Sequence, residues 1–207
     1  MKKKISICVI AFITAFVTAI AFMPTTAYAE TAAKMYEYGA FKDGKTVYCC
    51  GETGLYKVKV TSSGKVKSKK RIVKCGLHAY LFSFHKNGKF IYYTQGTEGT
   101  TSYVKRVKTN GKENKKLATL EDSMYGFSID GDKIYYSTYD WDADDEIFMC
   151  MNLDGSDKQT TTITPNSKFK RTNKKGYKVV IKYDGKYVKE YLKTPKAKKL
   201  LGKKKVY

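Results

Sequence analysis

The chain has 207 residues, 40 Lys and Arg against 19 Asp and Glu, and a formal charge of +21. Eighteen tyrosines, ten phenylalanines and only three prolines accompany prominent Val, Ile and Thr, a strand-forming composition, and apolar residues recur along the chain, which excludes intrinsic disorder. A field of this sign draws polyanions, not cations.

The first segment reads as an export signal. Lys2, Lys3 and Lys4 precede an apolar stretch from Ile5 to about Met23. Pro24 breaks it, and Ala27-Tyr28-Ala29 offers the small residues that signal peptidase requires. Residues 1–29 are therefore expected to be a cleavable signal peptide. The competing reading is an uncleaved anchor, for which the stretch is long enough. Cys8 lies deep inside the apolar stretch, not at its end, which argues against lipidation. Removing three lysines lowers the charge of +21 to +18 in a single domain expected over 30–207.

A repeated phrase then organises the chain. It runs Asp43-Gly44-Lys45-Thr46-Val47-Tyr48, then Asn87-Gly88-Lys89-Phe90-Ile91-Tyr92-Tyr93, then Asp130-Gly131-Asp132-Lys133-Ile134-Tyr135-Tyr136. A degraded copy is Lys175-Gly176-Tyr177-Lys178-Val179-Val180-Ile181. A second phrase follows the first three: Leu55–Val60 into Ser63-Gly64, Tyr103–Lys108 into Asn110-Gly111, and Ile147–Leu153 into Asp154-Gly155. Asn-Gly and Asp-Gly are strong signals for a two-residue type I′ hairpin, in which both central residues need φ > 0. With an apolar strand before each opening turn and a weaker one after each second turn, one repeat amounts to four short antiparallel strands. The repeats fall near 36–73, 79–118, 124–164 and 168–201, the size of a propeller blade. The fold expected is all-β, a small or partial β-propeller of about four four-stranded antiparallel blades. The alternative is a twisted antiparallel β-sandwich.

Candidate sites lie along these repeats. Vicinal Cys49 and Cys50 must point to opposite faces of their strand, and Cys75 is the natural disulfide partner for Cys49 or Cys50 in an exported chain. Cys75 and His78 also stand at Cys-x-x-His spacing, as for zinc or for a nucleophile and its base, but the further groups either role needs are not evident. His85, just before the Asn87-Gly88 turn, reads as an exposed turn residue. In the third repeat Asp140, Asp142 and Asp144 have the alternating spacing that opens a calcium loop, making calcium the one cofactor suggested. Asp145 stands where that loop needs glycine, and Met151 where it needs glutamate. The alternative is a solvated acidic loop. Trp141, the sole tryptophan, sits in the same loop as a candidate contact residue.

The strongest charge signal is C-terminal. From Pro165 to Tyr207 sixteen Lys or Arg face only Asp184 and Glu190. Lys174, Lys175, Lys178, Lys182, Lys186 and Lys189 interleave with Tyr183 and Tyr187, an arrangement suited to polyanions through charge and aromatic stacking. A solvated face that keeps the protein soluble is the alternative.

The phrases Asp130–Tyr136 and Ile147–Gly155 resemble those of secreted bacterial β-propellers of the low-density-lipoprotein-receptor-like and TolB-like kind. That resemblance implies a propeller used for binding or scaffolding, and says little about the ligand. The function expected is a secreted or cell-wall-associated, non-enzymatic module contacting anionic cell-wall or extracellular polymers through its basic last blade. Intracellular nucleic acid is not expected, nor a membrane span after cleavage. The alternative is a protein-interaction module that self-associates to complete a propeller. A secreted hydrolase ranks last, since no G-x-S-x-G, H-E-x-x-H or phosphate loop is present.

Overall fold

The computed structural model describes residues 39–97, 99, 101–121, 127–165 and 176–205. The expected signal peptide over 1–29, the start of the fourth repeat, and Lys174 and Lys175 lie outside the described residues.

Fifteen strands form four antiparallel sheets in chain order. The first holds β1 (Ala40–Asp43), β2 (Thr46–Gly51), β3 (Gly54–Val60) and β4 (Val66–Lys74). The second holds β5 (Ala79–Asn87), β6 (Phe90–Thr97), β7 (Thr101–Lys108) and β8 (Lys115–Glu121). The third holds β9 (Phe127–Asp130), β10 (Lys133–Asp140), β11 (Asp145–Asn152) and the two-residue β12 (Gln159–Thr160). The fourth has three described strands, β13 (Lys178–Asp184), β14 (Tyr187–Lys193) and β15 (Lys198–Lys205). The all-β class, the four-sheet repeat and the partial-propeller architecture expected from the sequence are all present. Four separate sheets packed in series replace the two facing sheets of the sandwich alternative.

The turns differ from the expected type I′. In the opening turns Gly44, Gly88 and Gly131 have φ of 55°, 53° and 58°, and each is the first of two loop residues, because Asp43 pairs with Thr46, Asn87 with Phe90 and Asp130 with Lys133. Positive φ at the first central position alone is the type II′ pattern, in which the Asp or Asn is the last strand residue and outside the turn. In the second turns three residues are looped out. Gly64, Gly111 and Gly155 donate back to Thr61, Lys108 and Asn152, whose own N–H groups bond Lys65, Lys112 and Ser156. Asn110 and Asp154 serve there as side-chain acceptors, taking the N–H of Lys112 and Ser156 two residues on.

Three apolar clusters join the sheets. Cys50, Tyr48 and Leu55 meet Leu81, Ile91 and Tyr93 between the first and second sheets. Tyr92, Val104 and Leu120 meet Phe127, Ile134 and Met151 between the second and third. Val47, Cys49, Tyr56 and Val58 meet Tyr177, Leu192 and Leu201 between the first and fourth. The order through the stack is thus fourth, first, second, third, and among the described residues no apolar cluster joins the third to the fourth. The last sheet docks on the first, so β2 is buried at every position. Alternation sends Cys50 to one face and Cys49 to the other.

One contact recurs at each junction. The second turn of the second sheet lies on β4, where Lys70 Nζ donates to Asn110 O at 3.2 Å. That of the third sheet lies on β8, where Lys115 Nζ donates to Asp154 O at 3.3 Å and a Cβ on Gly155 would meet Leu117 at 3.0 Å. That of the first sheet lies on the fourth, where Thr194 Oγ1 donates to Gly64 O at 2.8 Å. Each sheet is therefore set on its neighbour in the same sense.

Candidate functional site

The fourth sheet has two unlike faces. On β14, Val188, Glu190 and Leu192 are buried toward the first sheet, so Tyr187, Lys189, Tyr191 and Lys193 alternate onto the outer face. Register then fixes their neighbours. Lys189 lies between Lys182 and Lys203, and Lys193 between Lys178 and Lys198. Tyr191 lies between Val180 and Leu200, and Tyr187 between Asp184 and Lys205. A bulge opposite Glu190 and Tyr191 lets Leu201 and Gly202 both face inward, which keeps Lys203 and Lys205 in line with Lys198.

The outer face thus carries two rows of three lysines, separated by an aromatic and aliphatic row. Neighbours across strands lie about 4.8 Å apart, and the two lysine rows, four residues apart along a strand, about 13 Å apart. Like charges directly opposite are destabilising. Relief is partial. Lys189 pairs with Asp184, Lys203 Nζ lies 3.4 Å from the Tyr187 ring centroid, and Lys198 Nζ lies 4.5 Å from that of Tyr191. Asp184 is the one acid on this face among the described residues.

The structure brings Lys178, Lys182, Lys189 and Tyr187 onto this face and places Lys186 at the β13–β14 turn. Tyr183 is separated from them. It pairs with the inward-facing Val188 and is 67% exposed, with Glu52 raising its hydroxyl pKa after burial. Sequence reasoning also missed that the basic surface draws on the other end of the chain. Lys69 and Arg71 on β4 sit opposite Val58 and Tyr56, on the side facing the fourth sheet. Lys69 Nζ donates to both Leu200 O and Leu201 O at 2.8 Å. The run Lys67 to Lys74 was the available signal, obscured by the larger C-terminal excess.

Beneath the lysine face lies a buried polar node. Glu190 is 0% exposed, and its Oε2 accepts from Thr53 N at 2.9 Å and Thr53 Oγ1 at 2.6 Å. Thr53 Oγ1 also lies 2.8 Å from Tyr56 Oη, while Lys204 Nζ reaches Glu52 Oε2 at 3.3 Å and Ala79 O at 2.9 Å. Burial raises the Glu190 carboxyl to about 7 against the opposing bonds from Thr53.

The other candidate residues lie in the first three sheets and the loops around them. No disulfide links Cys49, Cys50, Cys75 or Cys150. Cys49 faces the fourth sheet, away from Cys75, and the Cys75 thiol points to Gly51 O at 3.7 Å. Burial pushes that thiol up to about 12. His85 is a half-buried β5 residue paired with Tyr92, not an exposed turn residue, and burial lowers its pKa. Asp140, Asp142 and Asp144 do not converge, and no group of metal-ligating side chains occurs among the described residues. Asp140 Oδ1 instead accepts the N–H of Asp142 and Ala143, and Asp144 accepts from Tyr139 Oη, so these two carboxylates close their own hairpin. Trp141 is 60% exposed and edge-on to Tyr139, with ring centroids 4.7 Å apart.

No protein-family model matches the chain, and no curated protein does. A solved structure from a study of two prolyl endopeptidases matches with a TM-score of 0.43 at 15% identity, covering 90% of this chain. The chain spans 33% of the length of that one.

Proposed function

We propose that this protein is an exported, non-enzymatic binding module whose fourth sheet captures anionic polymers of the cell wall or the extracellular space. The carrying observation is the pair of three-lysine rows, Lys182–Lys189–Lys203 and Lys178–Lys193–Lys198, set directly opposite one another across three strands. Their mutual repulsion is an unfavourable term that a bound polyanion relieves, and the intervening tyrosines offer flat surfaces to a sugar or polyol backbone. The test is retention on isolated cell walls and on a sulfated-glycan resin across a salt gradient. The protein should elute at modest salt, because screening shortens the reach of the field, and the K182Q/K189Q/K203Q variant should elute much earlier. Retention that high salt leaves unchanged refutes the reading.

A second reading, self-association to extend the stack, is favoured by the turn-on-neighbour contact repeated in one sense at three junctions. A heterologous contact of that kind propagates to further copies unless it closes. Light scattering separates the two, since a concentration-independent monomer removes self-association.

A further inference from the structure

The seam where β4 meets β15 carries three cations that stand in no ion pair among the described residues. Lys69 and Arg71 alternate on the face of β4 that looks toward the fourth sheet, and Lys199 alternates with Leu201 on the face of β15 that looks back. The Lys69 ammonium is fixed in place by the backbone carbonyls of the two residues that follow Lys199, Leu200 O and Leu201 O, at 2.8 Å each. Arg71 is steadied from below through its bond to the Tyr56 hydroxyl, which in turn meets Thr53. All three cations are exposed. Desolvation holds the Lys69 ammonium below the usual lysine range, and Lys199 and Arg71 push it further down. No carboxylate contributes to Lys69. Among the described residues Lys189 is paired with Asp184 and Lys133 with Asp157, whereas Lys69, Arg71 and Lys199 stand in no such pair.

We propose that the β4–β15 seam is an anion site for a dianionic phosphoryl group, a phosphomonoester held by Lys69, Arg71 and Lys199. Three cations outside any ion pair match two negative charges better than one, so the terminal phosphate of a phosphorylated glycan or polyol suits the seam and an internal phosphodiester does not. Arg71 supplies a planar fork for two oxygens, and the lysines supply point charges on either side. The site deepens the polyanion reading and rests on it. The lysine rows would engage the polymer along its length, and the seam would engage its phosphorylated end.

The experiment titrates the full chain at low ionic strength with methyl phosphate, the monoester, and with dimethyl phosphate, the diester, by calorimetry. Methyl phosphate is expected to bind at least about tenfold more tightly, and its affinity should fall below about pH 6 as the second proton returns. K199Q, at an exposed position, should weaken methyl phosphate about tenfold, and R71K should do so as well by removing the fork. The outer-face variant K182Q/K189Q/K203Q should leave methyl phosphate within about twofold while losing retention on the polymer resin. A second readout is the rate at which an amine reagent modifies Lys69, which methyl phosphate should slow. Equal affinity for the two esters, no binding of either at millimolar concentration, or equal loss in the outer-face variant overturns the seam. Salt-sensitive polymer retention in K199Q would at the same time leave the broader reading standing, so the two failures are distinguishable.

Discussion

The first and fourth sheets share one hairpin plan and meet water in opposite ways. In the first, every residue of β2 is buried, because the second sheet covers one face and the fourth covers the other. In the fourth, β14 turns Val188, Glu190 and Leu192 inward, and the lysine rows are turned out. Burial on both faces makes the first sheet a keystone whose side chains are chosen for packing. Burial on one face leaves the fourth free to carry a surface of like charges that costs stability.

Substitutions should divide along that line, beginning with the largest effect. Leu55→Ala removes a fully buried side chain from the cluster between the first two sheets and should destabilise by about 3 kcal/mol, read as a lower denaturant midpoint. If the loss is below about 1 kcal/mol, the first sheet is not the keystone described.

Next comes the Glu190 node, where the two sheets meet. Its carboxyl lies near 7 in the folded chain, above the ordinary value of 4.5. Both states are protonated below pH 4.5 and both are ionised above pH 7. The Glu190 contribution to stability is therefore greatest in acid, falls as pH rises between those limits, and is flat outside them. The drop should reach up to about 3 kcal/mol, and Glu190→Gln should flatten that part of the curve. Glu52, Lys204, Cys49 and Tyr56 surround the group. A slope that persists in the variant would show that Glu190 is not its origin.

Gly202→Ala tests the same junction by shape. A Cβ there would come within 2.1 Å of Tyr56 Oη and 2.4 Å of Thr53 Oγ1, so docking of the fourth sheet should weaken by about 2 kcal/mol. Loss of protection across β13–β15 with the second and third sheets unaffected is the expected pattern in hydrogen exchange. Smallest of all, K182Q/K189Q/K203Q should be neutral or stabilise by less than about 1 kcal/mol, because it removes like-charge neighbours. A destabilisation of several kcal/mol would make those lysines structural.

The sequence shows the repeats because turn glycines and β-branched runs are local features. Gly44, Gly88 and Gly131 declare the opening hairpins by themselves, although the II′ geometry was hidden by the Asp or Asn in front. The order of the sheets was not legible. Nothing near Thr53 announces Glu190, 137 residues away, since a buried acid on an alternating strand looks like any other charge in a lysine-rich segment. The lysine face was visible as composition, but its rows depend on strand register and on the bulge at Leu201. Tyr183 was misplaced for that reason, as one position along a strand changes the face. The aspartates of the Trp141 loop had cation spacing, but backbone N–H groups and Tyr139 took up those of Asp140 and Asp144.

Docking of the last sheet on the first also sets an order of assembly. A chain that emerges from its amino end completes β1 to β4 long before β13 to β15 exist, so the face bearing Val47, Cys49 and Val58 waits uncovered for more than a hundred residues. Closing contacts this distant are slow to form, and the interval exposes apolar strand surface to other chains. The lysines that crowd the final sheet therefore arrive with the segment that ends the vulnerable period.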